Sequence, residues 1–206
     1  MKKPTSKLVI LLIGALSAAT AHAEEKNFTG PVVGVRLAAV DNEVDYGGFL
    51  AGQSSSKTDT GFDIFAGYGL PLYGDWIANV GVNYTVNKTD FGTINYASGG
   101  NQTVSARLKT HWSVYVAPGY RFAPQWQAYA KFSYHDAKGE YNDSLLGSGT
   151  VNTHGFGYGA GISYAVTHNI EASFELQQID FNRKTVNSSN GEPSITEAAV
   201  QLAYRF

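Results

Sequence analysis

Hydrophobic and polar residues alternate one by one along eight segments of the 206-residue chain. The last segment, 196–206, carries apolar side chains at every second position up to Phe206. The other seven segments are 33–39, 62–70, 76–86, 108–117, 126–135, 155–164 and 170–177. A period of two predicts a β-strand, because successive side chains leave opposite faces of the backbone. The pattern therefore predicts eight strands, each with one apolar face and one mixed face.

The connections between these strands alternate in length. Three are short, at 71–75, 123–125 and 167–169, and four are long and polar, at 41–59, 87–106, 136–153 and 182–195. Short turns on one side and long loops on the other are typical of an outer-membrane barrel, whose long loops face outward. The fold class predicted is all-β, an eight-stranded antiparallel up-and-down transmembrane β-barrel. A soluble barrel of the lipocalin kind would need an apolar interior instead, and the aromatic and aliphatic face opposite the charges favours lipid contact.

The first residues predict export from the cytoplasm. Lys2, Lys3 and Lys7 precede an apolar run at 8–19 that is too short to span a bilayer, and the small residues around His22 form a cleavage pattern. We expect residues 1–23 to be a signal peptide cleaved after Ala23, which leaves 24–206 as the barrel domain.

The charge balance and the missing cysteine narrow the class further. Without the leader the chain keeps 12 Lys+Arg against 17 Asp+Glu, a net charge of −5. This balance argues against a nucleic-acid partner, which requires a basic surface. Cysteine is absent, so we expect no disulfides and a fold held by its backbone ladder and packing.

The mature chain resembles the small eight-stranded outer-membrane barrels of the outer membrane protein A, outer membrane protein X and opacity type. The leader, the eight alternating segments and the terminal sequence LAYRF carry the resemblance. It implies that Leu202, Tyr204 and Phe206 are the signal read by the barrel-assembly machinery, and that the partners are outer-membrane lipid and lipopolysaccharide. It also implies a monomer in the outer membrane of a Gram-negative bacterium.

The faces opposite the apolar ones predict a charged lumen. Its predicted members are Arg36, Asp63, Lys109, Arg121, Lys131, Glu171, Glu175, Glu197 and Arg205. By strand direction they sort into three layers of mixed sign, and buried charges of both signs should pair across the lumen. Eight strands leave room for side chains rather than an open pore. We expect a structural plug of ion pairs; the alternative is a narrow channel gated by those pairs.

Two constellations were weighed as chemical sites, and neither is favoured. His111 and Ser113 have the spacing seen in barrel lipid A deacylases, but the alternation turns both toward the lumen, away from the acyl chains. His135, His154 and Asp136 could supply three zinc ligands at the outer strand ends. The sequence predicts no catalytic residue, no bound metal and no cofactor, although a lipid A-modifying enzyme stays as an alternative.

Function is expected to lie in the four outer loops, because recognition usually resides in loops on a rigid scaffold. They are rich in Ser, Thr, Asn, Gly and acidic residues. We expect a structural or surface-interaction role, with host or surface ligands such as those of an adhesin.

Overall fold

The computed structural model describes residues 27–48, 50–97, 101–145, 147–186 and 189–206. The expected signal peptide and its cleavage at Ala23 lie outside these residues. The strands are β1 (Gly30–Gly48), β2 (Ser54–Pro71), β3 (Trp76–Thr85), β4 (Thr89–Ala97), β5 (Asn101–Ala123), β6 (Trp126–Asp143), β7 (Gly147–Ala165), β8 (Ile170–Phe181), β9 (Lys184–Val186) and β10 (Ser189–Arg205). Within the described ranges, no helix has both the length and the apolar character needed to cross a bilayer.

Eight of the ten strands form a closed antiparallel ring. The order is β1-β2-β3-β5-β6-β7-β8-β10, and β10 pairs again with β1. Val35, for example, lies opposite Ile64 of β2 and Leu202 of β10. The short strands β4 and β9 pair only with β5 and β10, beyond the ends of β3 and β8. The predicted eight-stranded barrel is therefore confirmed.

In the half of the barrel nearer the short periplasmic turns, called the lower half below, apolar side chains face outward and polar ones face the lumen. Leu37 is 50% exposed on the outer face, whereas its neighbour Arg36 is 3% exposed inside. Leu37 lies beside Phe62 on one side and Val200 on the other, which makes a continuous apolar belt. A belt of this kind is the surface that lipid contacts in a membrane barrel.

Above this belt the two faces exchange character. On β1, Asp41, Glu43 and Asp45 are exposed on the outside, while Val40 and Val44 are buried inside. Water has replaced lipid outside the wall at this height, so polar residues now face out and the hydrophobic effect buries apolar residues in the lumen. The inner apolar cluster comprises Ala38, Val40, Val44, Phe91, Leu108, Ala137, Ile179, Phe181, Ile195 and Ala199.

This upper half corrects the prediction of four long loops. Strand β1 continues to Gly48 and β2 begins at Ser54, so most of 41–59 is strand rather than loop. The same holds for 136–153, where β6 pairs with β7 from Asp136 to Asp143. The backbone ladder does not stop at the membrane, because the inner apolar cluster continues to support it. The outer segments are thus mostly β-hairpins with short tips.

A second correction concerns Lys109, which does not lie in the lumen. The pairing of β5 with β6 shifts register between Leu108 and Thr110. A β-bulge inserts one residue and turns the following side chains to the other face. Leu108 is consequently buried inside and the side chain of Lys109 is 47% exposed.

Phe28, two residues before the start of β1, covers the periplasmic end of the lumen. Phe28 is 1% exposed and forms an apolar cluster with Ile77 and Ala165. Its backbone has φ 72°, a conformation that bulky residues rarely adopt. Burial of the ring inside the barrel end offsets that cost. The alternating pattern of the sequence does not predict that Phe28 covers the end of the lumen.

Candidate functional site

The middle of the lumen is organised around the guanidinium of Arg36 on β1. Its Nη1 donates to Asp63 Oδ2 at 2.7 Å, and its Nη2 pairs with Glu197 and lies 3.4 Å from Glu175 Oε1. The three carboxylates come from β2, β10 and β8, and all four side chains are at most 8% exposed. One cation therefore ties together three different strands of the wall.

A second cation completes the network from the opposite wall. Lys131 Nζ of β6 donates to Glu175 Oε1 at 2.8 Å and lies 5.0 Å from the centre of the Tyr115 ring. The Tyr129 hydroxyl donates to Glu175 Oε2 at 3.1 Å. Glu175 thus accepts from both sides of the barrel. The predicted outward layer contained Asp63 and Glu197 together with Lys109 and His111, whereas the length of the Arg36 side chain joins Asp63 and Glu197 to the middle layer.

The remaining charges lie near the periplasmic end. Arg205 Nη2 pairs with Glu171 Oε2 at 2.8 Å, and Arg205 is 5% exposed. Arg121 is partly exposed at the rim, where its Nη2 donates to Asp75 Oδ1 at 2.6 Å. This layer was predicted, except for the turn residue Asp75.

Lys109 has its own partner outside the barrel. Its Nζ donates to Glu140 Oε1 at 2.8 Å, and this hydrogen bond lowers the pKa of Glu140 below its ordinary value. The pair is exposed to water, so it adds little to stability.

Side chains leave little space around the central network. A cavity of about 40 Å³ lies below it, between Glu175 and Arg205, and one of about 10 Å³ lies above it, beside Arg36 and His111. These volumes correspond to a few water molecules or fewer. The arrangement can hold charges and hydrogen bonds in place, but it offers no path as wide as a hydrated ion.

Two histidines and a group of polar side chains lie directly above the Arg36 network. His111 Nε2 is 2.7 Å from His135 Nδ1, and His135 Nε2 is 2.7 Å from Ser133 Oγ. Gln177 Nε2 donates to the same Ser133 hydroxyl at 2.6 Å. Sequence reasoning missed Ser133 and Gln177, although their positions on the inward face of β6 and β8 could have indicated them.

Of the two candidate chemical sites, the zinc constellation does not assemble, and His111 and Ser113 both face the lumen, as the alternation predicts. His135 is buried in the lumen, whereas His154 faces outward, where its ring stacks on Tyr134. The alternation of adjacent strands keeps these imidazoles on opposite faces of the wall, so they cannot share a metal ion. Across the described residues, no group of three or more His, Cys, Asp or Glu side chains has metal-site geometry. Ser113 is 1% exposed in the lumen, and its hydroxyl accepts from Asn83.

The inward glycines of β7 make room for this packing. A Cβ at Gly161 would overlap the Tyr129 ring, and one at Gly157 would overlap Gln177 and Ser133. A glycine in a strand often marks such a close approach. The glycines therefore allow Tyr129 to reach Glu175.

A closed antiparallel ring with a lipid-type belt outside and a charged, filled lumen defines an integral outer-membrane β-barrel protein. The family model of the outer membrane protein beta-barrel domain matches residues 8–206. The chain belongs to this family, and its location is the outer membrane of a Gram-negative bacterium.

Solved structures with a similar chain trace include other outer-membrane proteins. Ail, the attachment invasion locus protein of Yersinia pestis, solved with the heparin analogue sucrose octasulfate, is 14% identical with a TM-score of 0.43, over 83% of this chain and 98% of Ail. Neisserial surface protein A is 17% identical with a TM-score of 0.43, over 84% and 97% of the two chains. The Escherichia coli outer membrane protease OmpT is 10% identical with a TM-score of 0.49, over 85% and 96%. No curated protein matches the sequence.

Proposed function

We propose that the protein is a non-enzymatic surface-interaction barrel, with a plugged lumen as its structural support and the outer hairpins as its binding surface. The observation that carries the proposal is the continuation of paired strands above the lipid belt. On the outer face of β1 in this region, Asp41 and Glu43 lie beside the hydroxyl-bearing residues Thr196 and Ser194 of β10, and Asp45 lies beside Glu192. A paired, inwardly packed ribbon presents such side chains with little loss of conformational entropy on binding.

The lumen supports this role better than it supports transport. The Arg36 network crosses the barrel at mid-height, and Phe28 covers the lower end. The alternative function is an ion channel in which these pairs exchange partners. In that case the ion pairs described above would form the closed state of the channel, and a second set of pairs would form its open state.

Planar-bilayer recording separates these two functions. We expect the wild type and Glu175→Gln to be equally silent, because Arg36, Lys131 and the packed side chains still fill the lumen after the substitution. Phe28→Ala should be silent as well, since the central network remains. Conductance steps in the wild type, or steps that appear with Glu175→Gln, would favour the gated channel.

A trimmed hairpin tests the binding surface directly. We expect replacement of 46–53 by an Asn-Gly turn to shorten the β1–β2 tip without loss of the barrel, because Asp45 and Ser54 are paired and this dipeptide fits a two-residue hairpin turn between them. Expressing cells should then lose most of their retention on cultured epithelial cells or on laminin- and fibronectin-coated wells. Glu175→Gln is the matched control and should bind like the wild type. Equal retention of the trimmed variant would refute a binding role for this hairpin.

Biogenesis completes the proposal. Leu202, Tyr204 and Phe206 are 47–70% exposed on the outer face of the barrel end, a position compatible with recognition by the barrel-assembly machinery. We propose this role for them, together with cleavage of residues 1–23 after Ala23 and a monomeric state.

A further inference from the structure

The outer end of the lumen contains a cavity whose walls are mostly apolar. It lies above the inner cluster, and its volume is about 160 Å³. Val44, Leu50, Phe91, Val104 and Leu108 contribute side chains to its wall. This volume is close to that of an apolar cavity of about 150 Å³ that stays dry and binds benzene. The cavity is thus large enough for a short piece of hydrocarbon.

Its apolar character contrasts with the lumen below. The lower lumen is lined by Arg36, Glu175 and other buried polar groups, most of which pair or hydrogen-bond with one another. In the outer cavity, much of the wall offers hydrocarbon surface and no hydrogen-bond partner for a water molecule. An apolar ligand would replace poorly bound water there, and this replacement is favourable.

Two cationic residues, Lys184 and Arg107, and two carboxylate residues, Glu140 and Asp143, also line the cavity. Lys184 belongs to β9 and lies opposite Gly191 of β10, another residue of the cavity wall. Among the described residues, no carboxylate comes within salt-bridge distance of Lys184. Glu140 pairs with Lys109 and Asp143 accepts from the Tyr96 hydroxyl, so the site combines a mostly hydrocarbon wall with Lys184 as a positive charge that has no salt bridge within the described residues.

The barrel wall also lacks part of its ladder beside this cavity. The pairing of β7 with β8 ends at Gly155 and Phe181, and the Asn182 amide then donates to the His154 carbonyl at 2.9 Å. Beyond that point, the described parts of β7 pair only with β6, and β9 pairs only with β10. Val151 and Lys184 lie on the two sides of this gap, and both line the cavity. The gap provides a lateral entrance at the height of the water-facing wall.

We propose that this cavity binds the hydrocarbon tail of an anionic amphiphile, with the headgroup at Lys184. The tail enters between β7 and β9 and packs on Leu108 and Phe91. A neutral hydrocarbon of the same length also enters, but it gains nothing from Lys184. The proposal does not rest on surface binding by the outer hairpins, although Leu50 of the β1–β2 tip contributes to the cavity wall.

The test uses the full protein in lipid nanodiscs and octanoate as the soluble anionic probe, with 1-octanol as its neutral counterpart. Methyl NMR signals of Val44, Val104 and Leu108 report the cavity, and those of Val200 and Leu202 report the lipid face. We expect octanoate to shift the first group in a saturable manner. Shifts confined to the lipid-facing methyls would mean partition into the disc and would overturn the proposal.

Two variants fill the cavity from different strands. Ala106→Phe adds a ring from β5, and Gly139→Leu adds a side chain from β6, where a Cβ would make ordinary contact with Val151 at 3.4 Å. Each should weaken octanoate binding tenfold or more, because the space is then occupied. Ala39→Phe, which adds the same ring on the exposed outer face, is the matched control and should bind like the wild type. Heat-modifiable migration in SDS gels checks that each variant is folded; wild-type affinity in a folded filling variant overturns the proposal.

The charge and the source of the ligand are tested separately. Lys184→Gln should weaken octanoate binding up to about fivefold and leave 1-octanol unchanged; equal octanoate binding would refute the anionic headgroup. Nanodiscs that contain lipopolysaccharide show whether the bound hydrocarbon tail comes from an outer-leaflet lipid or from a free amphiphile. If the tail belongs to an outer-leaflet lipid, these discs shift the cavity methyls and block octanoate, and if it belongs to a free amphiphile, octanoate binds as before.

Discussion

Replacement of Arg36 by methionine is expected to destabilise the folded barrel by about 3–5 kcal/mol, the usual result of removing one partner from a buried ion pair. Asp63 and Glu197 lose their salt-bridge partner in the lumen, and Glu175 keeps only Lys131. Methionine is shorter than arginine but fills nearly the same volume, so the loss reflects charge and hydrogen bonding more than volume. The measurement is urea unfolding of the barrel in lipid vesicles.

The matched control removes the stranded charges together with the cation. Arg36→Met combined with Asp63→Asn and Glu197→Gln leaves no unpaired carboxylate from this pair of salt bridges. Replacing a buried ion network as a whole is often nearly neutral, so we expect this triple variant to recover most of the stability. A single substitution that costs less than about 1 kcal/mol, within the range of exposed pairs, would mean that Arg36 is not the centre of the plug.

Replacement of Val200 by arginine is expected to cost about 2–4 kcal/mol, as a basic residue does on the lipid face near the bilayer midplane. Val200 is 55% exposed and lies between Leu37 and Phe174 in the apolar belt. The guanidinium of the new arginine side chain would have to leave water for hydrocarbon or distort the bilayer around it. Reversible unfolding in vesicles measures the loss.

Thr196→Arg provides the control on the same face of the same strand. Thr196 is exposed outside, beside Asp41 of β1, at the height where the outer wall is polar. We expect a cost of about 0–1 kcal/mol there, as for basic residues near the membrane interface. Equal costs at Thr196 and Val200 would place the water boundary elsewhere and contradict the assigned belt.

Much of the lower barrel could be predicted from the sequence. The period of two between Val33 and Leu37 assigns each residue to the lumen or to lipid, and the structure places Arg36 accordingly. The prediction of inward and outward side chains failed at the β-bulge in β5, where one extra residue reverses the alternation. The bulge beside Leu108 arises from the pairing of β5 with β6, which the pattern of a single strand does not contain.

The upper barrel was present in the pattern but was interpreted as loop. Val40 and Val44 alternate with Asp41 and Glu43, which is a strand pattern with its faces exchanged. The polar composition of 41–59 predicted a long loop instead. Once water is placed outside the wall, the same alternation predicts an apolar interior, and with it the outer cavity.

The sequence by itself determined that the chain forms strands and which face of each lower strand meets lipid, because side-chain direction and hydrophobicity are local properties of the strand. Only the tertiary structure decided which carboxylates Arg36 joins, that Phe28 covers the lower end, and that a gap between β7 and β9 opens beside Lys184. These features depend on ring closure, which brings residues from opposite ends of the chain within the reach of one side chain.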